Sequence, residues 1–265
     1  MIRSFTLVAL TLFTLSCAKV PITGRRQLNM LPESQLMSMS LTSYKTFLSE
    51  NKVVSVTKSN AKQVKDVGAK MSVAVEKFLA QEGQSKRVKG YTWEFNLVED
   101  ETVNAWCMPG GKVVVYSGLM PIAQDETGLA VVMGHEIAHA IARHGNERMS
   151  QLLLVQAGGI GLAVAMSEKP ALTQNLFMLA YGAGSTVGSL SFSRKHESEA
   201  DKMGLVFMAL AGYNPEKAVD FWERMAAGAG SRPPEFLSTH PTSDRRISDI
   251  QEFLPIAMTY YKPKE

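Results

Sequence analysis

Two histidines four residues apart bracket a glutamate in the run His135-Glu136-Ile137-Ala138-His139. On an α-helix, positions i and i+4 share one face, with Cβ atoms about 5–6 Å apart. Two imidazoles so placed can bind one Zn²⁺ at about 2.0–2.1 Å per nitrogen. Glu136 sits at a neighbouring position, where it can act as general base on an attacking water; this is the HExxH pattern of zinc metalloproteases. The chain has only five histidines, so two of them in this register demand explanation. An ordinary amphipathic helix with two structural histidines is the plain alternative. The flanks describe a slim apolar helix: Leu129, Val132, Met133, Glu136 and Ala140 recur at spacings of three and four, and Ala138, Ala140 and Ala142 favour helix. A buried metal helix has this character.

A catalytic zinc needs a third protein ligand and an open fourth position. Glu197 and Asp201, four apart in Ser193-Arg194-Lys195-His196-Glu197-Ser198-Glu199-Ala200-Asp201, share a helical face. Glu197 can complete a two-His, one-Glu set. Asp201 can accept a hydrogen bond from the far nitrogen of a ligating histidine and fix its tautomer. Glu199 and Lys202 leave open a simple solvated face. His196 competes as a ligand but points about 100° away from Glu197.

Upstream, Tyr91, Trp93, Phe95 and Leu97 alternate with polar residues, as in a half-buried strand. Lys112 to Tyr116 is a second β-branched run. Pro109-Gly110-Gly111 marks a tight turn between them, so the pair reads as a hairpin ahead of the metal helix. An edge strand of that kind can bind an extended peptide through main-chain hydrogen bonds, or be purely structural. Downstream, His240-Pro241 reads as a loop entering a helix capped by Thr242 or Ser243. His144 falls at the end of the metal helix, where a cation is favourable, and reads as structural.

HEIAH, SRKHESEAD and HPTSDRRI, together with VPITGRRQL (Val20 to Leu28), resemble the zinc metallopeptidase family of the CAAX prenyl protease and the bacterial stress protease HtpX, in particular its shorter lipoprotein-like, periplasmic and mitochondrial members. The matching segments cover nearly the whole mature chain. The resemblance implies a mainly α fold with a small β-sheet (α+β), of the gluzincin type, with the HExxH and ExxAD helices packed around one Zn²⁺. It implies His135, His139 and Glu197 as metal ligands, Glu136 as the catalytic base and Asp201 as their support. It also implies that Asn104 and Ala105 line the substrate cleft, and that His240 and Arg246, rather than Arg245, contact substrate or stabilise the oxyanion. In some periplasmic members the matching histidine can reach the zinc.

At the N-terminus, Arg3 precedes an apolar stretch from Phe5 to Leu15, which has the length of a signal peptide. Ser16-Cys17 follows as in a bacterial lipoprotein processing site, although Thr14 stands where Leu is usual. This gives a signal peptide over 1–16, a linker lipidated on Cys17 over 17–31, and one metallopeptidase domain over 32–262. Several acyl chains would hold the protein to the membrane stably; a cleaved secretory peptide with an incidental cysteine is the alternative. Cys107 is then without a partner and reads as a small buried hydrophobe. A net charge of +3 is too small and too scattered to argue for nucleic acid, and no nucleic-acid partner is expected. Apolar residues recur at Met37, Leu41, Tyr44 and Leu48, then at Val64, Val67, Met71, Val75 and Phe78, predicting two helices before the hairpin. Segments 152–166 and 171–190 read as a buried or membrane-facing helical hairpin, with two membrane spans as the alternative. The expectation is a zinc endopeptidase of the bacterial envelope, on the periplasmic side and anchored by lipid to the outer membrane, acting on unfolded or envelope proteins. An envelope lipoprotein scaffold or chaperone, binding through an edge strand, is the competing reading.

Overall fold

Ala105-Trp106-Cys107-Met108 shows no polar–apolar alternation, because all four residues are buried. In the computed structural model, which describes residues 17–156, 170–181, 192–227, 235–240 and 245–263, they form a strand of their own. The strands are β1 (Cys17–Lys19), β2 (Arg26–Leu28), β3 (Glu94–Val98), β4 (Ala105–Met108) and β5 (Lys112–Tyr116). β1 and β2 pair antiparallel, whereas the main sheet runs β3-β5-β4. The Pro109-Gly110-Gly111 turn, with positive φ at both glycines, joins β4 to β5 antiparallel, with Ala105 opposite Val115. β3 lies parallel to β5, with Phe95 opposite Val113. The expected hairpin of the Tyr91–Val98 run with β5 is therefore corrected: β5 forms its hairpin with β4, whose burial on both faces leaves no period-2 signature.

The helices are α1 (Glu33–Glu50), α2 (Ser59–Gln81), the short α3 (Met120–Ala123), α4 (Glu126–Ala142), α5 (His144–Gln156), α6 (Pro170–Tyr181), α7 (Arg194–Leu210), α8 (Lys217–Ala227), α9 (Glu235–Thr239) and α10 (Arg246–Met258). The described chain is thus mainly helical with a small sheet. The α2 face is as expected, with Val64, Val67, Met71, Val75 and Phe78 all buried. The α1 face is rotated by about one residue: Leu36, Ser40, Tyr44 and Phe47 are buried, while Leu41 is exposed. The segment read as a linker forms the β1–β2 hairpin, with Val20 and Gln27 buried.

α4 runs through the centre. Asp125 caps it by accepting from the Gly128 N–H, and Arg143 ends it in the left-handed conformation (φ 60°). Every residue from Gly128 to Ala142 is buried. The helix packs along α7, with α2, α8 and β4 around it. α5 and α6 lie against each other, with Leu153, Leu176, Phe177 and Ala180 in a second apolar cluster with Tyr44 and Trp106. The rest of the two apolar segments, like residues 1–16, expected to be a signal peptide, and Thr242 and Ser243, lies outside the described residues. Among the described residues no helix is long and apolar enough to cross a membrane.

Candidate metal centre

α4 and α7 cross so that the His135–His139 face meets the first turn of α7. Ser193 caps that turn by accepting from the His196 N–H. This brings Glu197 beside both histidines: its carboxylate oxygens lie 3.3 Å from His135 Nε2 and 3.4 Å from His139 Nε2. His240, at the end of α9, reaches the same point, with Nδ1 3.2 Å from Glu197 Oε1 and 3.3 Å from His135 Nε2. The ligand atoms of His135, His139, Glu197 and His240 all lie within 4.8 Å of one another, and all four residues are buried.

This donor set fits a divalent metal. His135 Nδ1 meets Asp201 Oδ1 at 2.8 Å, which turns Nε2 inward as the nitrogen available to a metal. That nitrogen is 3.1 Å from His139 Nε2, a contact that needs a cation or a proton between the rings. Glu197 Oε2 and Glu136 Oε1 are buried with no hydrogen-bond partner. Orphaned buried carboxylate oxygens are costly, and a cation would satisfy them. The charge environment agrees. Burial opposes protonation of His135, but the facing carboxylates of Asp201 and Glu197 outweigh it and raise its pKa to about 9. Burial pushes the Glu197 carboxyl up, but the facing histidines, His240 first, hold it well below the usual range. Burial raises the pKa of Glu136, as suits a base that must take up a proton.

Glu136 lies beside the donors, with Oε1 3.5 Å from His240 Nε2. The His240 ring is held between aromatics, stacked on Phe236 (centroids 4.4 Å apart) and facing Phe192 at 5.3 Å. Phe192 also covers His139 at 4.0 Å. Arg246, expected to contact substrate or stabilise the oxyanion, lies beside His135, with Nη1 3.7 Å from Glu197 Oε2. Its Nη2 donates to Asp201 Oδ1 at 2.6 Å, and its guanidinium sits 3.4 Å from the Trp222 ring centre. Arg245 is exposed. Asn104 and Ala105 open β4. Asn104 Oδ1 accepts from the Ala105 N–H, and the neighbouring Val103 carbonyl accepts from the Phe236 N–H. The segment that carries His240 is therefore tied to the start of the edge strand. Cys107 is free and buried, and burial puts its thiol pKa well above the ordinary value.

Some functional neighbours had no clear signal in the sequence. His144 is fully buried, with Nδ1 2.8 Å from His139 Nδ1 and Nε2 3.0 Å from Glu199 Oε2. Burial lowers its pKa to about 4, which disfavours the cation that a helix end would otherwise favour. Glu199, which left a solvated face open, is buried. His196 turns away from the donors, as the helical wheel requires, and meets Glu147 Oε2 at 3.1 Å. Arg25, within the matching Val20–Leu28 segment, binds both Glu147 and Glu199.

This helix pair and its donor set have the chemistry of a metal site, as in a metallopeptidase. The profile of peptidase family M48 matches residues 59–254, and the chain belongs to that family. It is 34% identical over 248 residues to the mitochondrial metalloendopeptidase OMA1 of Schizosaccharomyces pombe, covering 90% of this chain and 66% of that protein. It is 36% identical over 170 residues to the beta-barrel assembly-enhancing protease of Escherichia coli, covering 60% of this chain and 34% of that one. It is 28% identical over 270 residues to human mitochondrial OMA1, covering 97% and 49%. The chain thus spans roughly a third to two thirds of the length of these relatives.

Proposed function

We propose that the protein is a zinc-dependent endopeptidase of the bacterial cell envelope that hydrolyses peptide bonds in unfolded or envelope proteins. The observation that carries this reading is the convergence of His135, His139, Glu197 and His240 with Glu136 at their side. Zinc, when bound, supplies Lewis acidity and lowers the pKa of a coordinated water from 15.7 to about 7. His135, His139 and Glu197 hold the metal, and Asp201 with Arg246 fixes the His135 ring. Glu136 takes the proton from the attacking water and passes it to the leaving amine. Asn104 and Ala105, at the start of the edge strand, receive the substrate backbone. His240 reaches the same cluster and would offer a fourth donor to a bound metal, competing with water or substrate for that position.

The envelope assignment rests on the leader-like N-terminus with Cys17 as lipid anchor, and is supported by the similarity to the beta-barrel assembly-enhancing protease. Purified protein is expected to cleave casein, to lose the activity to a chelator and to regain it with zinc. Glu136→Gln is expected to keep the metal and lose turnover. Undiminished cleavage by that variant, with its zinc content measured, removes Glu136 as the base. Chelator-resistant cleavage overturns the metal reading.

A further inference from the structure

Behind His139, on the side away from the donor cluster, lies a buried chain of polar groups that ends in the N-terminal hairpin. His139 Nδ1 is 2.8 Å from His144 Nδ1, and His144 Nε2 is 3.0 Å from Glu199 Oε2. Arg25 Nε donates to the same Glu199 oxygen at 2.8 Å, and the Thr23 hydroxyl donates to the other. The two Arg25 Nη groups bind Glu147 at 2.8 and 2.7 Å. His144 is fully buried, and Glu199 and Glu147 nearly so.

With a neutral His144 facing an ionised Glu199, hydrogen-bond polarity allows one arrangement of protons along this chain. Glu199 can only accept, so His144 carries its proton on Nε2 and offers a lone pair at Nδ1. His139 must then donate from Nδ1, which leaves its Nε2 lone pair for the metal. A ligating histidine held by such an outer donor–acceptor chain is both oriented and made more basic. Arg25 bridges two buried carboxylates that would otherwise repel each other, and its Nε bond holds the Glu199 carboxylate aimed at His144.

We infer that His144, Glu199 and Arg25 are positioning residues for His139, and that the β1–β2 hairpin is thereby an integral part of the metal site. The inference rests on the metal reading above. His139 is supported by a histidine–carboxylate–guanidinium relay, and His135 directly by Asp201. The two imidazole ligands are therefore held by separate devices.

The test is zinc affinity by chelator competition in the full chain, together with the visible absorption spectrum of the Co²⁺-substituted protein, which reports ligand geometry independently of turnover. His144→Leu is expected to weaken zinc binding by about 10–100-fold and to shift the Co²⁺ bands. Glu199→Gln and Arg25→Met are expected to act in the same direction at the lower end of that range. Arg25→Lys should fall closer to wild type than Arg25→Met, because it keeps the charge. Arg26→Met, on the exposed neighbour, should change neither readout. Glu199→Gln preserves side-chain shape, so it carries the test even where a larger change impairs folding. Wild-type affinity and an unshifted Co²⁺ spectrum in folded Glu199→Gln and His144→Leu overturn the relay while leaving the metal site standing. Failure of the wild-type protein to bind zinc overturns both.

Discussion

Gly134 and Gly204 face each other where the two metal-bearing helices cross. A Cβ built on Gly204 would lie 2.9 Å from the His135 backbone nitrogen, and one on Gly134 would lie 3.0 Å from the Gly204 carbonyl oxygen. Backbone atoms cannot swing aside as a flexible side chain can. The absence of both side chains therefore sets how near Glu197 and Asp201 come to His135. We expect Gly204→Ala to cost about 1–3 kcal/mol of stability, as overpacking does, and to weaken metal binding by spreading the helices. Urea unfolding of the metal-free protein and chelator competition measure the two effects. Wild-type values in both would mean that the crossing is not set by this contact.

Much of this arrangement was legible beforehand because its residues obey helical geometry. His135 with His139, and Glu197 with Asp201, are i, i+4 pairs, and each pair does share a face in the structure. Contacts that follow no local period were not legible. Arg25 reaches Glu199 across 174 positions, and His144 belongs to the helix after the one it supports. The strand β4 was missed for a related reason: burial on both faces removes the alternation that announces a strand. The α1 face was misplaced because a buried Ser40 stands where the pattern sought an apolar residue.

Glu197 supplies the only carboxylate among the four clustered donors. Removing it leaves three imidazoles and takes away the carboxylate that faces both His135 and His139. Glu197→Ala is expected to purify with well under one zinc per chain, while Glu199→Ala retains a measurable, weakened site. Metal analysis of the dialysed proteins decides this; an undiminished one-to-one stoichiometry in Glu197→Ala would refute its role as ligand.

His240 differs from the other donors in being held mainly by aromatic stacking and by the Phe236 carbonyl, which accepts from its backbone N–H. A catalytic zinc keeps an open position, whereas a four-donor set is closed. His240→Ala is therefore expected to hold zinc through the remaining three residues and to cleave an unfolded substrate faster than wild type. Steady-state kinetics on casein check this. A fall of about a hundredfold or more in kcat would instead give His240 the oxyanion role, since losing such a donor costs on that order.

Acid should weaken the fold through the cluster around the N-terminal hairpin. Burial pushes the Glu147 carboxyl up, but hydrogen bonds from His196 and Arg25 outweigh it and hold its pKa at about 2, against an ordinary 4.5. A carboxyl with a depressed folded-state pKa binds fewer protons when folded than when unfolded. Its contribution is then fully present above about pH 4.5 and is lost as the pH falls through about 2. Glu147→Gln cannot titrate, so it should be less stable than wild type at neutral pH by an amount that shrinks steadily on acidification through this window. Thermal unfolding of both proteins, in metal-free buffers from pH 7 down to the acid limit of the native state, measures the difference. A gap that stays constant with pH would mean that Glu147 contributes by packing and hydrogen bonding alone, with its charge playing no part in holding Arg25.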